Sequence, residues 1–363
     1  MKKVAFFKGK EGVRIFGEYE IHFFDDQSFI PQISNIYKLF TFIRRGLGQG
    51  INYPSFSLGF AEEIHRLYIR KEKWYMDFIN YFIETFENFD IIVMATYCPV
   101  HPEVISKLKK PIKVLGFIDE PNSTYVRGVP FIWAFDGAIY ISPSYNEEYL
   151  MNDMLLNWGC KNNFFLPLTF THQHFKFSND FFKRKNDICY VGNYYGSKVD
   201  RLVVLKKYFK NRLLIYGKDW PIKGYGGYLR FLFGKPLFPH KITSLTQTER
   251  KNLYLNTKIG FNMHLSEFKR ETGNMRMYEV PAYGMMLISD KGGLDAHNMI
   301  FKDGIEAVYY ETIDDAIQMI EYYLKNENKR IKIAKAGIKR WQLDYQYDFQ
   351  LKQMLDWAIS LRK

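Results

Sequence analysis

Glu271-Thr-Gly-Asn274-Met-Arg276-Met-Tyr-Glu279-Val-Pro-Ala-Tyr-Gly284, followed by the apolar run Met285 to Ser289, decides how this chain is read. Ile259 to His264, just ahead of it, reads as a strand, and the polar stretch after His264 reads as a loop. Asn274 is a preferred residue for starting a helix, and Gly284 marks the stop, where glycine can enter the left-handed cap conformation. The helix between them therefore begins beyond a strand's carboxyl end. Its N-terminus, with Glu271, Gly273, Asn274 and Arg276 around it, offers free N–H groups and the positive end of a dipole to phosphate oxygens. Arg276 adds a forked cation for the same anion, and Glu279, one turn further in, is a carboxylate suited to paired hydroxyls. Taken by themselves, Arg276 and Glu279 read equally well as a solvated pair on a helix surface.

Outward from this stretch the chain alternates strands with helices. Upstream, Ile188 to Gly192 and Leu213 to Gly217 are strands, and Lys198 to Phe209 and Glu249 to Leu255 are helices. Downstream, Ala307 to Tyr310 is a strand, and Ile313 to Leu324, Asn328 to Trp341 and Tyr347 to Leu361 are helices. The first half repeats the pattern, with short apolar strands at Val4 to Phe7, Ile91 to Ala95, Val114 to Ile118 and Ala138 to Ser142. Ala61 to Phe86 reads as one long helix, with Ile64, Leu67, Tyr75, Ile79 and Phe82 near helical spacing. Residues 10 to 60 receive no assignment. Such alternation predicts an α/β protein with open, mostly parallel sheets covered on both faces. Two units in tandem imply two Rossmann-like domains facing a cleft, residues 1–170 and 171–345, joined in the stretch that begins at Leu166-Pro167-Leu168.

The 363 residues suffice for two domains, and 47% apolar with 25% charged residues argues against disorder. No apolar run is long enough to span a bilayer, and the opening Met1-Lys-Lys-Val-Ala-Phe-Phe-Lys8 reads as the first strand of a cytoplasmic enzyme. Cys98, Cys160 and Cys189 are widely spaced and suggest neither a disulfide framework nor a zinc site; they read as small buried hydrophobes. The net charge of +12 concentrates between Arg201 and Lys251, where twelve Lys or Arg face two acids. Aromatics interleave with the cations over residues 219–241. That mixture suits an anionic membrane surface, single-stranded nucleic acid, or a solvated loop whose rings pack on the domain behind it.

Asn274-x-Arg276-x-x-Glu279-x-x-x-x-Gly284-x-x-x-Ile288-Ser-Asp290 resembles the carboxyl-terminal domain of CgeB-like glycosyltransferases, within the group 1 glycosyl transferases of the GT-B fold. The likeness continues through Phe301-Lys-Asp-Gly-Ile-Glu306 and Arg330 to Gly337, and upstream through Tyr190-Val-Gly192-Asn193, Arg201 and Tyr216-Gly217-Lys-Asp-Trp220. It covers residues 188 to 345 well and the first half more loosely. It implies a GT-B architecture in which a last helix, within residues 346–363, crosses back to the first domain. It also implies hexosyl transfer from a nucleotide-diphosphate sugar, a UDP- or GDP-sugar, to a glycan or lipid-linked acceptor in bacterial surface-polysaccharide or glycoconjugate assembly. In the family pattern Glu271 faces the transferred hexose and Glu279 the ribose. His264 is placed to touch the sugar or phosphate.

Other candidates come from position in the fold. Gly192-Asn193-Tyr-Tyr-Gly196-Ser-Lys198 follows a strand and opens a helix, so its backbone could approach the diphosphate, with Lys198 and Arg201 as neutralising cations. Tyr216 and Gly217 end the next strand and could approach the base. Asp119, directly after a strand of the first half, is the candidate catalytic carboxylate for the acceptor hydroxyl, with His101 as a second candidate base. The chain has no Asp-x-Asp, and Asp25-Asp26 and Asp314-Asp315 stand in unsuitable contexts, so no metal and no cofactor beyond the donor are expected. The paired glutamates lean toward retention of configuration, while retention against inversion stays open. Expected partners are the donor, the acceptor and a membrane surface met through residues 219–241 at the inner face, with no nucleic acid. A catalytically idle sugar or nucleotide-binding module, and a basic membrane-surface or nucleic-acid-binding protein, are the rival classes.

Overall fold

The structure, a computed structural model, describes residues 1–7, 11–24, 64–95, 100–118, 128–169, 180–218, 220, 242–264 and 272–362. They form two compact units. The first comprises Met1–Ile141, Met151–Leu166 and Lys352–Lys363, and the second Ser142–Leu150 and Pro167–Leu351.

In the first unit seven strands make one sheet: β1 (Lys2–Phe7), β2 (Gly12–Phe16), β3 (Tyr19–Phe23), β4 (Ile91–Ala95), β5 (Ile112–Ile118), β6 (Gly137–Tyr140) and β7 (Asn163–Phe165). Their order is β2-β3-β1-β4-β5-β6-β7, parallel throughout except for the antiparallel β2–β3 hairpin. β1 and β4 are almost uniformly apolar at their centre because parallel strands are covered on both faces. Ala5, Phe7, Ile92 and Met94 on one face meet Tyr75, Ile79, Phe82 and Phe86 of α1 (Lys73–Phe86). α2 (Pro102–Lys107) and α3 (Met151–Asn157) follow in this unit. The single helix expected over Ala61 to Phe86 is broken. Residues 64–69 form a first helix, Lys71 turns it off at φ 53°, and the Lys71 and Glu72 amides donate back to the carbonyls of Tyr68 and Leu67. This is a Schellman cap with lysine where glycine usually sits, so the sequence carries no stop signal.

The second sheet has β8 (Asn186–Val191), β9 (Leu213–Tyr216), β10 (Thr257–Phe261), β11 (Met286–Asp290) and β12 (Val308–Tyr310), all parallel, in the order β12-β11-β10-β8-β9. The helices that follow in sequence are α4 (Gly196–Phe209), α5 (Gln247–Leu255), α6 (Met275–Ala282), α7 (Ile313–Lys325), α8 (Glu327–Asp344) and α9 (Tyr347–Ser360). Two of them open with capping boxes, Thr246 with Glu249 and Thr312 with Asp315. The second box accounts for Asp314-Asp315 as a helix start. α9 begins in the second unit and its residues from Lys352 onward pack in the first, where Trp357 stacks on Phe164 at 5.2 Å and Tyr19 donates to Asp356 at 3.0 Å.

The chain leaves β8 for β9 on one side and later returns for β10 on the other. The strand order therefore reverses between β8 and β10. In open α/β sheets the crevice beyond the strands' carboxyl ends at such a point is where ligands bind.

Candidate functional site

Val191 ends β8 and is followed by Gly192 and Asn193, and Asn262, Met263 and His264 lie beyond β10. One side chain joins the two ends. Arg276, in the first turn of α6, donates from Nη1 to the Val191 carbonyl (2.9 Å), from Nη2 to the Met263 carbonyl (3.1 Å) and from Nε to Asn262 Oδ1 (2.8 Å). Its guanidinium lies 4.7 Å from the Tyr190 ring centroid. Arg276 thus bridges the switch point with three of its five N–H donors, leaving two for a ligand.

α6 starts as its sequence dictates. Asn274 caps it, accepting from the Arg276 amide at 3.1 Å, and Gly284 ends it at φ 70°. The free N–H groups expected here are largely taken by the protein itself. The Thr272 amide donates to Ser142 Oγ (3.3 Å), Gly273 to Met277 Sδ (3.1 Å), Asn274 to His264 Nε2 (3.4 Å) and Met277 to the Asn274 carbonyl (3.0 Å).

His264 belongs to a buried polar chain. Its backbone amide donates to Asp290 Oδ2 (2.8 Å), and its Nδ1 stands 2.7 Å from Asp290 Oδ1. A carboxylate can only accept, so the ring proton sits on Nδ1, which leaves Nε2 as the acceptor for Asn274. Ser289 donates to Asp290 Oδ1 at 3.2 Å and receives from Asn262 Nδ2 at 2.9 Å, while Asn262 Oδ1 receives from Arg276. Each of these contacts sets a donor against an acceptor, as a buried network requires. Burial opposes ionisation of Asp290, but the ring and amide of His264, and then Arg201, hold its carboxyl below the usual carboxylate range. Arg201 donates from Nη2 to the His264 carbonyl (3.0 Å), with Nη1 3.8 Å from Asp290 Oδ2. It is tied to this network more than it is exposed to an anion, and its Nε is buried with no hydrogen-bond partner.

Glu279 sits deeper along α6, nearly covered. Tyr254 of α5 donates to its Oε2 (3.3 Å), and Arg250, one turn earlier, approaches Oε1 at 3.3 Å without hydrogen-bond geometry. Burial raises its pKa against the opposing pull of Arg250, Arg276 and Tyr254. A buried carboxylate with one oxygen lacking a hydrogen bond is an acceptor waiting for a donor.

The glycine loop has a different basis from the one the sequence suggested. A side chain on Gly192 would collide with Arg276 Nη1 and stand 2.7 Å from the Tyr190 hydroxyl, and one on Gly217 would collide with the Gly192 carbonyl. Protein atoms already occupy the space expected for a ligand's close approach. Gly192 donates to the Tyr216 carbonyl (2.8 Å), and Trp220 Nε1 donates to the Gly192 carbonyl (2.9 Å), so the β8 and β9 loops support each other. Asn193 Oδ1 receives the Lys218 amide at 3.4 Å. Lys198 is buried, its ammonium 5.2 Å from the Tyr195 ring centroid.

The geometry thus gathers Gly192, Asn193, Arg201, Tyr216, Gly217, His264, Asn274 and Arg276 around the ends of β8, β9 and β10. Asp119, Glu271, Asp219 and residues 221–241 lie outside the described residues. Asn262, Ser289, Asp290, Tyr190, Arg250 and Tyr254 are the members that the sequence did not assign to the site. Tyr254 was hidden because a tyrosine on a helix face reads as core, and Asp290 because it ends an apolar strand. In the first unit, His101 is a helix cap more than a base: its Nδ1 accepts from the Glu103 amide (3.3 Å) and its Nε2 lies 3.1 Å from His65 Nδ1. Cys160 and Cys189 are free and buried, and burial pushes their thiols up to about 11 and about 12. Among the described residues no helix is long and apolar enough to cross a membrane.

Comparison with known proteins agrees with this fold. A family model described as glycosyl transferase-like matches residues 200–356. No curated protein matches the chain in sequence. Among solved structures it is similar to HepE of Anabaena in complex with UDP-glucose (10% identity, 78% of this chain and 82% of that one, TM-score 0.54). It is also similar to sucrose-phosphate synthase of Thermosynechococcus elongatus (14%, 78% and 78%, 0.55) and to TarM of S. aureus (14%, 74% and 55%, 0.51). The family model thus covers the part of the chain that holds the α6 site, and the two α/β units have the GT-B fold.

Proposed function

We propose that the protein transfers a hexosyl group from a nucleotide-diphosphate sugar, a UDP- or GDP-sugar, to a glycan or lipid-linked acceptor without a metal ion, in bacterial surface-polysaccharide or glycoconjugate assembly. The observation that carries this reading is Arg276, set across the β8 and β10 ends with two N–H donors left over and α6 behind it. Those groups face the point where a leaving diphosphate gathers charge, and their network holds them in place before the reaction begins. Glu279, held by Tyr254 and Arg250, offers its open oxygen to a ribose hydroxyl. Glu271 on the transferred hexose and Asp119 on the acceptor hydroxyl complete the proposal. HepE, similar in fold, was crystallised with UDP-glucose and with UDP.

Thermal denaturation against UDP, GDP, ADP, CMP and their sugar conjugates, without metal and then with it, tests the donor. One nucleotide should raise the midpoint selectively, and no shift with any of them overturns the reading. Asp119→Ala should abolish transfer while leaving the nucleotide-induced shift intact. Unchanged transfer would remove Asp119 from the catalytic role.

A further inference from the structure

We infer that the outer face of α8, together with the turn at Phe181–Lys183, is a docking surface for an anionic lipid bilayer. This surface is made of residues other than those of the α6 site, and it does not depend on the donor reading. Between Asn328 and Leu343 the exposed charged side chains of α8 are Lys329, Lys332, Lys335 and Lys339. Spacings of three, three and four residues put them on one side of the helix. A solvated helix usually mixes signs along its exposed face. Here none of the four has a carboxylate within ion-pair distance among the described residues; Lys329 instead reaches the Tyr322 hydroxyl and Lys335 lies 5.6 Å from the Phe181 ring centroid.

That last contact places a second feature beside the stripe. Phe182, next to Phe181, is 61% exposed, and it is followed by Lys183, paired with Asp180 at 2.6 Å, and by Lys185, both exposed. At the far end of α8, Leu343 is 62% exposed. Large apolar side chains beside a stripe of lysines without carboxylate partners match the two layers of a bilayer surface. The phenyl and isobutyl groups enter the headgroup region and the ammonium groups meet lipid phosphates. Polyanions without an apolar layer would leave Phe182 and Leu343 unused, which favours lipid over nucleic acid.

Sedimentation with sonicated vesicles tests the proposal on the full chain. The protein should co-sediment with phosphatidylcholine vesicles containing about one-third phosphatidylglycerol, less as salt rises, and not with pure phosphatidylcholine. The triple variant Lys332→Ala/Lys335→Ala/Lys339→Ala should bind on the order of a hundredfold more weakly. Phe182→Ser should weaken binding at every salt concentration. Both changes are on the surface, and an unchanged unfolding midpoint checks that the fold survives. Equal binding to neutral and anionic vesicles, undiminished binding by the triple variant, or binding to single-stranded DNA in preference to vesicles overturns the inference.

Discussion

Arg276 is held by three hydrogen bonds to groups at the ends of two different strands, so its removal should be felt twice. Arg276→Ala is expected to weaken nucleotide-diphosphate binding by about 1.5 to 3 kcal/mol, measured by titration calorimetry. It should also lower the unfolding free energy in urea by about 2 kcal/mol, because the Val191 and Met263 carbonyls and Asn262 lose their donors. Arg276→Lys keeps the charge but not the fork, and should recover binding only in part. Glu279 makes a pH-dependent prediction. Its folded pKa is raised by burial, so its contribution to stability is complete below the ordinary glutamate range and is lost as pH rises through the folded value. Relative to Glu279→Gln, the unaltered protein should therefore lose stability over that rise, and a parallel pH profile for the two would contradict the assignment. Glu279→Gln should also penalise ribonucleotides more than their deoxyribose counterparts. Asp290 has the opposite sign: its folded pKa is depressed, so its contribution is present above the ordinary aspartate range and is lost as pH falls through the folded value. Asp290→Asn should flatten the acid limb of the stability curve.

At the scale of elements, α6 is specified at both ends by residues legible in the sequence, Asn274 and Gly284. Asn274→Ala should cost about 1 kcal/mol through the lost cap. Gly284→Ala should cost about 1 to 2 kcal/mol, because a Cβ in the left-handed region is strained and would stand 3.0 Å from Arg184 Nη2. Both are measurable by chemical denaturation, and a cost near zero at Gly284 would show that the φ of 70° is not needed. Strand and helix positions in the second unit were readable from period and punctuation, the strands of the sheet to within about three residues at their ends. The β2–β3 hairpin was not, since Gly12 to Phe23 carries exposed Val13 and Ile15 that blur the alternation. Nor was the break at Lys71, which lacks the glycine that normally announces such a turn.

At the scale of the whole molecule, a ligand that binds only the folded state raises stability by about 2.7 kcal/mol at a hundredfold excess over its Kd. That is enough for a clear shift in the unfolding midpoint when the correct nucleotide is present. The site is assembled from residues far apart in sequence, Val191, Arg201, His264, Arg276 and Asp290, and only the parallel sheet brings their strand ends together. Loss of the nucleotide shift in Arg276→Ala, with the fold intact, would tie that assembly to binding.

The sequence by itself determined the α/β class, the two tandem units and the helix that follows β10, because hydrophobic period and caps are local properties of neighbouring residues. It also named most of the side chains near the switch point. The tertiary structure decided what those side chains do. Gly192 turned out to accommodate Arg276 and Tyr190, Gly217 the Gly192 carbonyl, and Arg201 proved tied to His264 and Asp290. Tyr254 and Arg250 emerged as the partners of Glu279. Hydrogen-bond partners, burial and shifted pKa values depend on which distant residues meet, and no local pattern records that.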